Sequence, residues 1–255
     1  ALLGLPPSLS SIMDYEKNGW LSFVSRFDWA VDKNGKLRLL EINTDTPAGL
    51  EAYGLNRLVK DIYPDYQDPN SLLPQVVREK FVQMTALYGA DRIVVLGMSA
   101  MAGYEEDWAH IWQMGCFLQP LVQKVIYGDI SALSCLDGRL MLNNEVIDAV
   151  YRYYPLDWLA DEEHNHEMLT GLSRVLMINP PAALITQSKA FMAVVWQLIK
   201  EGFYNSEEKK IIEKYLLPTS LEWQGRDCII KPFLEREGKG VVFSKDLKRD
   251  EMAKI

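Results

Sequence analysis

Leu21-Ser22-Phe23-Val24-Ser25-Arg26-Phe27-Asp28-Trp29-Ala30-Val31, then Asp32-Lys33-Asn34-Gly35-Lys36, then Leu37-Arg38-Leu39-Leu40-Glu41-Ile42-Asn43 reads as two strands, 21–31 and 37–43, around a polar break. Asn-Gly supplies the positive φ angles of a two-residue type I′ turn, so the stretch predicts a hairpin. With Asn34-Gly35 as the turn, Asp28 faces Glu41 and Arg26 faces Asn43. Phe27 and Trp29 then face Ile42 and Leu40 on the other side, which is expected to be apolar and packed. Opposed carboxylates repel unless a cation lies between them. Two carboxylates and an amide oxygen suit Mg²⁺, a hard cation that takes oxygen ligands and keeps positions for water or phosphate. Arg26 on the same face suits a phosphate or a developing oxyanion. An ordinary polar hairpin face, with Arg26 as counter-charge to two acids, presents the same pattern. The concentration of all four polar residues at the end away from the turn favours the metal reading.

Outward from the hairpin, the chain alternates helix and strand. A short helix is expected over residues 9–20. Pro47, after Asp45 or Thr46 as cap, starts another to about Lys60. The periodicity predicts helix over 74–88, strand over 92–96, helix over 104–118 and strand over 122–127. Asp137-Gly138 marks a second hairpin, 146–153 reads as strand, and Pro155 opens a helix through Glu163. Pro180-Pro181 is the candidate boundary, since neither residue sits inside a helix or central strand. Beyond it come helices over 188–201 and 207–216 and strands over 228–232 and 240–243. The fold class is α/β.

The 255 residues carry 27 Lys+Arg against 35 Asp+Glu, a net charge of -8. That balance argues against nucleic-acid and anionic-membrane partners, which need a basic surface. It suits a cationic partner, or an anion whose charge is carried by metal ions. No apolar run is long enough to span a bilayer, and no signal peptide opens the chain. Cys116, Cys135 and Cys228 form neither a disulfide framework nor a zinc knuckle. A cytoplasmic protein is expected.

The run from Arg26-Phe27-Asp28 through Leu40-Glu41-Ile42-Asn43-Thr44-Asp45-Thr46-Pro47 resembles glutathionylspermidine synthases and their amidase-free homologues. Three later segments resemble the same family in the same order. Arg152-Tyr153-Tyr154-Pro155-Leu156-Asp157-Trp158 is similar to its K-x-Y-P-W-E-W segment. Ser188-Lys189-Ala190-Phe191, leading into Val194-Val195-Trp196-Gln197-Leu198, is similar to its N-K-A-x-x-P-x-x-W-x-L helix. Ile229-Ile230-Lys231-Pro232 with Arg236-Glu237-Gly238 is similar to its phosphate loop. The resemblance runs from about Leu3 to Phe243.

It implies an ATP-grasp-like fold with a pre-ATP-grasp α/β domain, circularly permuted so that the E-x-N motif precedes the nucleotide lysines, and ending before the family's closing segment. Three segments are implied: 1–60 with the metal hairpin, 61–180 as a pre-ATP-grasp-like substrate domain, and 181–255 as the nucleotide lobe. The implied activity is an ATP- and Mg²⁺-dependent ligation of a glutathione-like peptide carboxylate to a polyamine such as spermidine, through an acyl phosphate. The resemblance makes Asp28, Glu41 and Asn43 magnesium ligands and Arg26 catalytic at the transferred phosphate. It makes Lys189, Lys231 and Gly238 ATP-binding, with Thr46 at the peptide and Glu105 and Glu106 at the polyamine. Glu235 stands at the first glycine of the loop, Gly240 where Asn is usual, and Ala48 at a second hydroxyl position. The alternative is a catalytically impaired ATP-grasp-like protein that binds nucleotide or a peptide or polyamine, or acts as a partner subunit.

Overall fold

The computed structural model describes residues 2–13, 21–89, 93–161, 166–223 and 227–247, without the side chains of Ser11 and His166. In chain order the elements are α1 (Ser10–Met13), β1 (Arg26–Val31), β2 (Leu37–Asn43), α2 (Ala52–Ile62), α3 (Leu73–Leu87), β3 (Val95–Ala100), α4 (Glu105–Leu118) and β4 (Lys124–Asp129). Then follow β5 (Leu133–Leu136), β6 (Arg139–Leu142), β7 (Glu145–Val146), β8 (Ala149–Tyr153), α5 (Leu156–Asp161), α6 (His166–Leu172) and β9 (Leu176–Ile178). The chain ends through α7 (Ala183–Gln187), α8 (Ala190–Lys200), α9 (Ser206–Tyr215), β10 (Ile229–Ile230) and β11 (Val242–Phe243). Most of the helix expected over 9–20, the strand start at Arg92 and the helix end at Glu163 lie outside the described residues.

The elements gather into two compact units. One comprises Ala1–Leu5, Phe27–Asn43 and Leu184–Ile255; the other comprises Pro6–Arg26 and Thr44–Ala183. The larger unit is built on a parallel sheet of order β4-β3-β8-β9. β3 and β8 carry few solvent-facing side chains, and every residue of β8 is buried, as a sheet covered on both faces requires. Phe81 and Met84 of α3 and Ile111, Met114 and Leu118 of α4 pack into the same core as Leu96, Met98 and Tyr151. Gly115 lets α4 approach β4: a Cβ there would lie 2.0 Å from the Tyr127 hydroxyl oxygen. The second expected hairpin is present, with Leu136 paired to Arg139. Asp137 and Gly138 take φ of 52° and 73° in a two-residue turn of type I′ character.

Strand order reverses around β3, whose chain continues through α4 to β4 on one side while β8 lies on the other. Such a reversal, at the C-terminal strand ends, is where open α/β sheets form ligand crevices. Tyr153 ends β8 there. Its hydroxyl is pushed well above the usual tyrosine range by burial and, secondarily, by the negative charge of Asp107 and Glu51; Arg26 opposes the shift. His110 of α4 stacks on the Tyr153 ring with centroids 4.0 Å apart, and its Nε2 lies 2.7 Å from the Tyr151 hydroxyl.

Burial holds His110 at a pKa of about 4, against the opposing pull of Glu51. The native ring therefore stays neutral from pH 6.5 down to about 4, while the unfolded chain takes up a proton below 6.5. Stability falls as pH drops through that window, by about 1.4 kcal/mol per unit and about 3 kcal/mol in all from this residue. Urea titrations at pH 7 and pH 5 check it. His110→Gln, which keeps a partner for Tyr151, is expected to remove most of that pH dependence; an unchanged slope would count against this assignment.

The smaller unit holds the first hairpin, α8, α9 and the β10–β11 ribbon. A parallel bridge links Leu39 to Leu216, and Arg38 Nη1 donates to Lys214 O at 2.8 Å. The Trp29 ring meets Tyr215 edge-on at 5.8 Å. A full capping box starts α9: Asn205 accepts from Glu208 N–H, and the Glu208 side chain accepts from Asn205 N–H.

The hairpin turn differs from the expectation. Asp32 N–H donates to Lys36 O at 2.8 Å and Gly35 N–H to Asp32 O at 2.9 Å. The loop is thus the three residues Lys33-Asn34-Gly35, with Gly35 at φ 77°. The cause is Asp32, whose carboxylate accepts the N–H groups of Asn34 and Lys36 and organises a longer turn with a glycine bulge. Opposition of Asp28 to Glu41 therefore does not follow from the turn. Nor is the apolar face packed: Phe27, Trp29 and Leu40 are 49%, 46% and 42% exposed.

The expected helix at Pro47 begins only at Ala52, with Glu51 as cap. Neither Asp45 nor Thr46 caps it. Asp45 is buried and its carboxylate accepts from Arg152 Nη2 and from Leu156 N–H at the start of α5. It serves a helix 111 residues away in sequence.

Candidate functional site

In the smaller unit, the strand backbone and three long side chains converge. Asn43 Nδ2 donates to Asp28 Oδ2 at 3.2 Å. Glu41, two residues before Asn43, shares its face by strand alternation. Asp28, Glu41 and Asn43 are all half-buried, whereas Phe27, Trp29 and Leu40 are exposed. Asp28 and Asn43 thus meet at the open end of the hairpin, while Glu41 is engaged by Lys189.

Lys189 immediately precedes α8. Its N–H donates to Phe233 O at 2.9 Å, which joins the start of α8 to the loop after β10. Its Nζ lies 3.2 Å from Glu41 Oε1, with the two side chains 13% and 26% exposed. The same Nζ donates to Glu235 O at 2.5 Å. Lys231, just after β10, donates to Leu40 O at 3.3 Å. Two lysines from distant segments thus meet the strand that carries Glu41 and Asn43.

The loop after β10 turns tightly. Lys239 N–H donates to Arg236 O and Val241 N–H to Gly238 O. Glu237, Gly238 and Gly240 take φ of 55°, 72° and 69°, a run in which glycine relieves strain. Gly238 is exposed. The Glu235 carboxylate lies 3.6 Å from Lys239 Nζ, so its charge has a neighbouring counter-charge within the loop.

The remaining expected residues belong to the larger unit. Arg26 is exposed at the start of β1, and a Cβ on Gly49 would lie 3.7 Å from its Cδ. Thr46 is half-buried between Asp45 and Pro47, which are buried. Glu105 and Glu106 are exposed in the first turn of α4, where the helix dipole favours them.

Sequence reasoning missed a set of four buried polar residues around Thr46: Thr44, Asp45, Arg152 and Asn179. Arg152 and Asp45 form an ion pair with both side chains at 0% exposure. Thr44 Oγ1 donates to Ala183 O at 2.7 Å, and Asn179 Nδ2 donates to Asp45 O at 3.2 Å. The segment after the Glu-Ile-Asn motif is thus anchored by hydrogen bonds rather than by helix. An isolated Asp before Thr-Pro reads locally as a cap, so only the charged residue inside the otherwise apolar strand Ala149–Tyr153 signalled a buried partner.

For a divalent cation, the donor set is chemically apt: two carboxylates and an amide oxygen are hard ligands suited to Mg²⁺. Among the described residues, no group of three or more His, Cys, Asp or Glu is placed to hold a metal. Any cation held there would take phosphate or water oxygens in its remaining positions. Among the same residues, no helix is long and apolar enough to cross a membrane.

Comparison with known proteins decides the family. The model of the glutathionylspermidine synthase preATP-grasp family matches residues 3–254. The chain belongs to that family.

A Haemophilus influenzae protein named "Putative acid--amine ligase" is 23% identical over 239 residues, 86% of this chain and 54% of that protein. The chain spans about half the length of this curated relative. A glutathione synthetase-like effector from Globodera pallida superposes with TM-score 0.53 at 16% identity, covering 85% of this chain and 57% of the effector. A Methylobacillus flagellatus protein titled "Putative gamma-glutamylcysteine synthetase" gives TM-score 0.51 at 16% identity, covering 83% of this chain and 49% of its own. At these identities the two structures bear on the fold, which is α/β and ATP-grasp-like.

Proposed function

We propose that this chain binds ATP with Mg²⁺ and a small carboxylate or amine substrate, as part of an ATP-dependent carboxylate–amine ligase. The observation that carries it is the approach of Lys189 Nζ to Glu41 Oε1, on the strand that also carries Asn43 with its contact to Asp28. A lysine at that distance from a metal-type carboxylate is placed to reach phosphate oxygens shared with the cation. Asp28, Glu41 and Asn43 would hold Mg²⁺, which when bound neutralises phosphate charge and polarises the transferred group.

Lys189 and Lys231 would bind the nucleotide phosphates under the Gly238 loop, with Arg26 balancing charge on the transferred phosphoryl group. The finer chemistry is amide formation: a glutathione-like carboxylate takes the γ-phosphoryl group, and a polyamine nitrogen displaces phosphate from the acyl phosphate. Thr46 would hydrogen-bond the peptide. Glu105 and Glu106 would hold the ammonium groups of a polyamine, in keeping with the net negative charge. The amine attacks only when neutral, so a nearby carboxylate can accept its proton.

A second reading is binding without turnover. It is favoured by Glu235 at a loop position where glycine is expected, and by the absence of a third acid beside the hairpin among the described residues. Phosphate release from Mg–ATP, measured with a panel of thiol peptides and polyamines, separates the two. The ligase reading expects release that requires both a carboxylate and an amine. Nucleotide binding with no amine-dependent release establishes the second reading, and no nucleotide binding at all sinks both.

A further inference from the structure

We propose that Asn179 is the positioning residue of the metal hairpin, one buried amide that clamps the chain before β1 to the chain after β2. Its Oδ1 accepts the N–H groups of Phe23 and Val24 at 2.7 and 2.9 Å. Its Nδ2 donates to Val24 O at 3.0 Å and to Asp45 O at 3.2 Å. All four hydrogen-bonding positions of a primary amide are thereby used, at 2% exposure. Thr44 Oγ1 adds a second tie, to Ala183 O.

The arrangement matters because β1 and β2 form a sheet of two strands. A two-stranded ribbon is marginal without outside support. Its turn is at Lys33-Asn34-Gly35, and its polar residues Asp28, Glu41 and Asn43 lie at the opposite, open end. What holds that end closed sets the spacing of those ligating atoms. Only an uncharged amide suits the place, because it must accept from two N–H groups and donate to two carbonyls at once. Asn179→Asp keeps the size and the acceptor but turns a second oxygen toward Val24 O and Asp45 O. Both donor contacts are lost and the clamp on Asp45 opens.

The inference rests on the hairpin being the metal-binding element, and the test separates the two. In the full chain, hydrogen exchange of residues 23–43 and Mn²⁺ uptake with a non-hydrolysable ATP analogue, read by electron paramagnetic resonance, are compared across variants. Asn179→Asp is expected to speed exchange of the hairpin amides at least ten-fold and to weaken Mn²⁺ binding by a similar factor. Leu140→Ala, which opens a cavity under β6, serves as a destabilised control and is expected to leave both unchanged. Should Asn179→Asp not fold, Asn179→Ser is read in the same way.

Hairpin exchange in the folded variant no faster than in Leu140→Ala overturns the role of Asn179. Faster hairpin exchange with unaltered Mn²⁺ affinity overturns its role in placing the ligands. A wild-type chain that takes up no Mn²⁺ sinks the metal reading, while the exchange comparison still decides whether Asn179 clamps the hairpin.

Discussion

Replacing Asp45 by alanine is expected to lower the unfolding free energy by about 3–5 kcal/mol, the usual cost of removing one partner of a buried ion pair. The reason is what stays behind. Arg152 is 1% exposed overall, and its Nη2 is the nitrogen that meets Asp45. Its Nε and Nη1 have no hydrogen-bond partner among the described residues. Without Asp45 the guanidinium remains charged, since arginine does not deprotonate in proteins, and it cannot reach water. Leu156 N–H also loses its acceptor at the start of α5.

Asp45→Asn keeps the shape and removes the charge, so it separates the two contributions. It is expected to cost nearly as much as alanine. By contrast, Glu145→Gln at the exposed Lys124–Glu145 pair, whose side chains are 53% and 43% exposed, is expected to cost less than about 1 kcal/mol. Urea titration of the three variants checks the ranking. A loss at Asp45 no larger than at Glu145 would mean that the guanidinium finds other partners.

Lys189→Ala is expected to weaken Mg–ATP binding by about 10- to 100-fold, the scale of one or two charge-assisted hydrogen bonds to phosphate. Two effects add. The ammonium that would meet the phosphates is removed, and Glu41 is left without the cation now 3.2 Å from it. An uncompensated carboxylate beside the nucleotide repels it until metal binds. Lys189→Arg keeps the charge and is expected to recover part of the affinity. It does not recover all, because a planar fork replaces a compact donor. Titration calorimetry with a non-hydrolysable nucleotide is the measurement; equal affinity in Lys189→Ala and wild type would remove Lys189 from the site.

Much of the α/β order was legible. Alternation and helical spacing placed α3 and α4 within one residue of their expected bounds, because long apolar periodicity survives any tertiary context. Asp137-Gly138 was read correctly because two consecutive positive φ angles are a local demand. Asn34-Gly35 was misread for a related reason: the same dipeptide serves a three-residue turn when an aspartate two residues earlier supplies a side-chain acceptor. The apolar face of the hairpin was misread because alternation marks which residues share a face, not whether anything covers it.

The candidate site divides in the same way. The meeting of Asn43 with Asp28 was legible as a gathering of polar residues at the open end, but the opposition of Asp28 to Glu41 was not, because Asp32 lengthened the turn. Lys189 and Lys231 could be named from resemblance, but their approach to Glu41 and to Leu40 O belongs to segments roughly 150–190 residues apart. Asp45 shows the limit most sharply. Locally it is a helix cap; in the fold it pairs with Arg152, which its own strand left without a partner. By itself, then, the sequence determined the elements, the family and the acidic hairpin, all set by near-neighbour chemistry. Only the tertiary structure decided which buried polar groups satisfy one another, because that pairing depends on which distant segments the core brings within about 3 Å, a hydrogen-bond distance.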